Sequence, residues 1–315
     1  MQRKPGGWTR RKLVLGGAGL VAAGAAGAGA TAPRGFWSGV WSEMRREVPP
    51  PLYQPNPKAW PDRGLHVAWL GHSSTLIKVD GFTILTDPVL NNYAGIHIGG
   101  ISLGIKRVRR PALSVEDLPK IDLILLSHAH MDHLDTKTLR ALESKSTQVL
   151  TAWETSDLLR AGRFQSVREM RWGQTARAGE ASVKALEVNH WGARYRSDTY
   201  RGYNGYLIEA GSRRVLFAGD TADTDAFRQV RSSKSIDVGI IPIGAYNPWI
   251  RYHCNPEQAW RIGNDAGAEV FVPVHHQTFR LGREPYTEPI ERFVAAAKSS
   301  QDRIAMHEIG QELHL

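Results

Sequence analysis

Residues 121–126 read Ile-Asp-Leu-Ile-Leu-Leu, and Ser127-His128-Ala129-His130-Met131-Asp132-His133 follows at once. A short apolar run bounded by polar residues has the form of a buried strand. The loop after it carries four metal-capable side chains within six residues. Hiding that many polar groups from water is costly unless they are paired or bound to an ion. Imidazole nitrogen and carboxylate oxygen suit zinc, which takes both at about 2.0–2.2 Å. Alternation along the loop lets His128 and His130 converge on one ion, while Asp132 and His133 turn toward a second. One loop cannot complete two coordination shells, so the chain must fold to bring further ligands from other strand ends.

Candidates stand at such ends. His190 closes the strand-like stretch 181–188, Asp220 follows 214–217, and His275 follows 269–274. Apolar alternation also predicts strands at 65–70, 75–79, 82–85, 205–209 and 236–243, with hairpin turns at Asp80-Gly81 and Gly211-Ser212. Both hairpins are followed by an aspartate, Asp87 and Asp220, a faint echo between the two halves. Helices are expected at 136–143, 155–161, 256–266 and 285–298. Residues 91–110, glycine-rich and basic, read as a loop, and the run Lys106–Arg110 as a solvated part of it that could draw in an anion. Strands with interposed helices argue for an α/β sandwich.

The formal net charge is +9, but Arg3, Lys4, Arg10, Arg11 and Lys12 fall in the first dozen residues. Removing those five leaves +4, too little to argue for a nucleic-acid partner. The single cysteine, Cys254, excludes an intramolecular disulfide framework and a cysteine-rich zinc module. Residues 1–32 order a basic start, an uncharged stretch from Leu13 to Ala32 and small residues, as an export signal or an uncleaved anchor does. Thr9-Arg10-Arg11-Lys12-Leu13-Val14-Leu15 resembles a twin-arginine signal. That export machinery is therefore an expected partner. The protein is expected in the periplasm, or anchored on the outer face of a bacterial inner membrane. Residues 33–61 form an extension. Phe36, Trp37, Val40, Trp41 and Met44 make an aromatic stripe that packs on its own domain or touches a membrane interface. The prolines of 48–61 predict an extended connector. The domain proper is expected over 62–315.

The stretch HAHMDH has the form HxHxDH, and WLGHSST (69–75), LTDPV (85–89), NHWGAR (189–194), FAGDT (217–221), IPIGAYNPW (241–249), HCNPEQA (253–259) and PVHHQTF (273–279) accompany it. In these motifs the chain resembles the metallo-β-lactamase-fold hydrolases. Within them it is most similar to the N-acyl-phosphatidylethanolamine phospholipase D-like branch, with the ascorbate-phosphate lactonase relatives next. The resemblance implies an αββα sandwich and two metal ions. His128, His130 and His190 would hold the first, Asp132, His133 and His275 the second, and Asp220 would bridge them. Two zinc ions are the expected cofactors, with manganese as the alternative. They would activate a bridging hydroxide against a phosphodiester, a phospholipid head-group linkage or another small-molecule substrate. Asp132 and His253 are the candidate catalytic residues. His253 would orient the phosphate or protonate the leaving group, unless it merely caps a helix. Histidine at the signature's second position, rather than glutamate, argues against the di-iron redox members. Where the branch has an aromatic residue and a glycine after the last ligand, this chain has His276-Gln277. His276 therefore competes with His275 as ligand, and the alignment favours His275. His72 and Asp87 would steady ligand imidazoles, and Thr86 or Arg194 could reach substrate. A lactonase or ester hydrolase is the alternative activity, and a non-catalytic metal-binding protein the second alternative.

Overall fold

Apolar alternation from Leu65 onward produces three antiparallel strands in succession: β1 (Leu65–Gly71), β2 (Ser74–Val79) and β3 (Phe82–Thr86). Asp80 and Gly81 both take positive φ, 46° and 89°, and turn β2 into β3. The computed structural model describes residues 45–98, 101–232 and 234–315. The export-signal segment and the aromatic stripe lie outside the described residues. The unit considered below spans Val48–Leu315. No helix of the described residues is long and apolar enough to cross a membrane.

The chain continues through β4 (Tyr93–Ile98), β5 (Ile101–Lys106), β6 (Leu123–Leu126), α1 (Thr136–Ala141), β7 (Gln148–Ala152), β8 (Ser166–Met170), β9 (Thr175–Ala178) and β10 (Ala181–Leu186). Then come β11 (Gly205–Ala210), β12 (Arg213–Phe217), β13 (Ile236–Pro242), α2 (Pro256–Ala266), β14 (Ala268–Val274), α3 (Glu288–Ala297) and β15 (Glu312–His314). One sheet runs β15-β1-β2-β3-β6-β7-β8 and the other β14-β13-β12-β11-β10-β9. In both, a hairpin is followed by a parallel strand, β6 beside β3 and β13 beside β12. Asp87 and Asp220 stand just past β3 and β12, so the echo in the sequence is an echo in topology.

The alternation decides what each side chain covers. Tyr206, Ile208, Val215 and Phe217 join Val67, Trp69, Ile84 and Leu125 in one buried cluster between the sheets. Their neighbours Leu207, Leu216 and Ile241 turn the other way, onto Ala259 and Ile262 of α2 and Phe293 of α3. Each large apolar side chain buried in this way contributes about 1.5–3 kcal/mol relative to exposure. Helix α2 starts on a reciprocal cap, Asn255 accepting from Gln258 N while the Gln258 side chain accepts from Asn255 N. It lies close to the sheet because Gly263 is bare. A Cβ there would stand 2.2 Å from Phe271 Cε1.

Three expectations change. Residues 93–98 and 101–106 are a hairpin, not a loop, with Gly95 opposite Gly104. A Cβ at Gly95 would meet Leu103 O at 2.0 Å, so the glycines that suggested a loop are what let the ribbon close. Residues 155–161 form no α-helix. The Glu169 carboxylate on β8 takes the N–H groups of Glu154, Thr155 and Ser156, leaving short 3₁₀ turns at Ser156–Leu158 and Ala161–Arg163. Within the basic run Arg107 is buried, and the partly or fully exposed Arg109 and Arg110 are tied to backbone carbonyls. Arg107 is fully buried, donates to the carbonyls of Val89 and Asn91 and lies 4.9 Å over the Phe279 ring. Arg109 and Arg110 donate to Pro50 O and Val48 O, both at 2.8 Å.

Candidate metal centre

Strand β6 delivers the histidine loop, and Asp87 gathers it. The fully buried Asp87 carboxylate accepts from Ser127 N at 2.7 Å, from Ser127 Oγ and from His133 Nδ1 at 2.7 Å. Asp135 caps α1 by accepting from Lys137 N and Thr138 N, which fixes the exit from the loop. The buried Arg194 donates to Ala129 O and Leu134 O at 2.9 and 2.8 Å. It holds the loop and does not line the cavity. Thr86 is likewise internal, donating to Ser73 O.

Four strand ends now meet. His128 Nε2 lies 2.7 Å from His130 Nδ1, and His190 Nε2 lies 3.3 Å from the same atom. His190 Nδ1–H donates to Tyr252 O at 2.9 Å, which leaves its Nε2 lone pair facing the group. Asp132, His133 and His275 form a second group, both imidazole Nε2 atoms lying 3.5 Å from Asp132 Oδ2. Asp220 Oδ2 reaches into both: 3.1 Å from His133, 3.0 Å from His275 and 3.8 Å from His190. The seven side chains singled out from the sequence are thus brought together. His253 joins them, its Nδ1 3.7 Å from Asp220 Oδ2. It is not the cap of α2, since Asn255 is.

The donor set fits metal ions. Both Asp220 oxygens and the Nε2 atoms of His133 and His275 are buried without a well-formed hydrogen bond, although they converge. A cation held among them would satisfy these atoms. The ligands are imidazole and carboxylate with no thiolate, a set suited to zinc and acceptable to manganese. His72 is a further candidate. Its Nε2 lies 2.8 Å from Asp132 Oδ2, within reach of the second group. The sequence placed His72 behind an imidazole; the structure places it on the carboxylate. His276 belongs to none of the ion-holding groups among the described residues, and its ring stacks on Trp69 at 4.6 Å.

The electrostatics divide the site. Burial, reinforced by neighbouring imidazoles, holds His128 and His190 well below the usual histidine pKa, and burial brings His130 to about 4. These three present neutral lone pairs at pH 7. In the second group burial pulls the same way, but Asp220 and Asp132 outweigh it, pushing His133 well up and His275 to about 9. Both aspartates are correspondingly held well below the carboxylate range, against their own burial, by His133 and His275. A cation entering here must displace protons from His133 and His275. Metal affinity is therefore expected to rise with pH through the neutral range, because His275 keeps its proton to about 9 and His133 is raised as well. Zinc titrations at several pH values check this; an affinity flat from acid to alkaline pH would contradict it.

A cavity of about 340 Å³ opens over these groups, walled by Ile105, Met131, Trp191, Trp249 and Leu281. Sequence reasoning did not pick these wall residues. They come from strand β5 and from loops far apart in the chain, and no local pattern marks them.

Fold and site together define a metal-dependent hydrolase. The profile of the Beta-lactamase superfamily domain matches residues 83–276. The chain is 33% identical over 280 residues to an uncharacterized protein of Mycobacterium tuberculosis, covering 86% of this chain and 74% of that one. It is 30% identical over 259 residues to N-acyl-phosphatidylethanolamine-hydrolyzing phospholipase D 1 of Caenorhabditis elegans, covering 76% and 72% respectively. A metallo hydrolase from the archaeon Ignicoccus hospitalis shares the fold, with a TM-score of 0.60 at 21% identity, over 80% of this chain and 98% of that one. This chain belongs to the beta-lactamase superfamily, and its relatives there include phospholipase D enzymes that hydrolyse N-acyl-phosphatidylethanolamine.

Proposed function

We propose that the protein is an exported dinuclear zinc phosphodiesterase of phospholipase D type. One observation carries the reading: Asp220 Oδ2 lies within 3.8 Å of imidazoles from both ligand groups. A carboxylate so placed can contact two ions at once. His128, His130 and His190 hold one ion in this reading, and Asp132, His133 and His275 hold the other. Zinc is favoured by the donor set, with manganese as the alternative occupant. When bound, such a pair of cations lowers the pKa of a water between them and stabilises charge on phosphoryl oxygens.

The chain's own residues do the rest. Burial brings His253 to about 4, so it is neutral at pH 7 and serves as an N–H donor that orients a phosphoryl oxygen. Trp191 and Trp249 narrow the entrance and exclude water from the diester. Asp132, steadied by His72, would hold the second ion together with His133 and His275. The relatives in Caenorhabditis elegans and Saccharomyces cerevisiae named for N-acyl-phosphatidylethanolamine hydrolysis support a phospholipid diester as substrate. The twin-arginine-type sequence supports export to the outer face of the inner membrane.

Metal-loaded protein screened against soluble phosphodiesters, phospholipids and lactones tests the reading, with His130→Ala as the blank. Release of a head-group alcohol or amine by wild type alone is the expected result. Turnover of lactones only would assign the ester-hydrolase activity, and equal turnover by the blank would overturn the mechanism.

A further inference from the structure

We infer that the β4–β5 hairpin and the 249–252 loop form a surface that docks on anionic phospholipid bilayers and sets the catalytic cavity over the head groups. Strand pairing places Ala94 opposite Ile105 and Ile96 opposite Leu103. Strand period two puts these four, with Ile98, on one face of the ribbon. At its base Ala94 is buried against Val89 and Phe279, while Ile105, 41% exposed, lines the catalytic cavity. Farther out it is bare: Ile96, Leu103 and Ile98 are 37%, 49% and 68% exposed. The opposite face carries His97, whose Nε2 lies 2.9 Å from Asp135 Oδ1 at the cap of α1. The ribbon is therefore tied to the domain by its polar side and turns its apolar side to solvent, the reverse of an ordinary surface hairpin.

Across the cavity the same inversion recurs. Trp249, Ile250 and Tyr252 are 46%, 43% and 40% exposed, and Trp249 lines the cavity as Ile105 does. Apolar surface thus runs outward from both sides of one mouth, and contiguous exposed patches of this kind mark interaction sites. Charge selects the occupant. Arg251 stands between Ile250 and Tyr252, and Arg280 and Arg283 flank the cavity wall at Leu281; all three are exposed. A second copy of this chain on a twofold axis would bring these arginines against one another. A rigid protein partner would seal the entrance. A bilayer with anionic head groups satisfies the arginines, takes up the isoleucines and tryptophan, and leaves lipid diesters facing the cavity. Docking needs only this surface; its purpose, substrate delivery, rests on the function proposed above.

The test uses the full chain as Ile98→Cys, carrying an environment-sensitive dye. Cys254 is buried, and burial raises its thiol pKa, so the label goes to position 98. On vesicles of phosphatidylcholine with phosphatidylglycerol the dye is expected to shift to the blue and to be quenched by brominated acyl chains. Arg251→Glu with Arg283→Glu is expected to weaken that signal by about tenfold or more. Dye that stays in water in the presence of these vesicles overturns the proposal, whether or not the N-terminal segment holds the protein to the membrane. A blue shift that appears without vesicles, on raising protein concentration, also overturns it and assigns the face to a second copy. Hydrolysis of a soluble phosphodiester by the labelled variant is measured in parallel. Its loss in wild type as well would refute the proposed activity, not the docking.

Discussion

Asp220→Asn is expected to lower kcat/KM for a soluble phosphodiester by at least about 10³-fold, or about 4 kcal/mol of transition-state stabilisation. The amide is nearly isosteric but carries no charge. Asp220 Oδ2 is the atom within 3.8 Å of His133, His275 and His190, so both ligand groups lose their common anion. Metal content should fall with activity, while the far-ultraviolet circular dichroism of the metal-free protein stays that of wild type. The loss should also resist rescue by excess zinc, because the missing element is the charge between the ions. A variant that retained activity within about tenfold would show that the groups work separately and would remove the basis for a two-ion site.

Asp87→Ala is expected to damage the fold as much as the site. Asp87 is fully buried and accepts from Ser127 N, Ser127 Oγ and His133 Nδ1. Removing it strands those donors inside the protein, and loss of one partner in a buried charged network costs about 3–5 kcal/mol. For a domain of this size that corresponds to roughly 5–10 °C in Tm. His133 would also lose the hydrogen bond that fixes its ring, so metal affinity should drop by roughly 10–100-fold. Calorimetry of the metal-free variant separates the first effect from the second. An unchanged Tm would mean that the 127–133 loop does not depend on Asp87 for its shape.

The two effects differ because the two aspartates occupy equivalent places with opposite surroundings. Asp87 follows β3 and turns inward to backbone and ring N–H groups. Burial raises its pKa despite the opposing pull of His133 and Ser127. Asp220 follows β12 and faces His133 and His275, which together hold it well below the usual range in spite of its burial.

That difference marks where sequence reading reached. The central strands were legible in two ways: half-buried ones as apolar alternation, and fully buried ones such as Leu123–Leu126 as short continuous apolar runs. The ligand cluster was legible because four metal-capable groups after one apolar run have few alternative uses. His190, Asp220 and His275 could be added because each terminates a strand. Other features depend on contacts that no window of sequence contains. Glu169 unmakes an expected helix from fourteen residues away, by accepting from Thr155 N. Arg107 looks like part of a solvated basic run until Val89, Asn91 and Phe279 enclose it. His72 reaches Asp132 across 60 positions of chain. Glycines at 95 and 104 suggest a loop when read singly and a tight ribbon when placed opposite one another. Exposed isoleucines on that ribbon carried no warning either, since alternation alone predicts a buried face.

The most direct measurement is anomalous scattering at the zinc edge from crystals of the zinc-loaded protein. Two peaks about 3.5–4 Å apart are predicted, one among His128, His130 and His190, the other among Asp132, His133 and His275, with Asp220 touching both. A single peak, or a peak held by His276 in place of His275, would contradict the account.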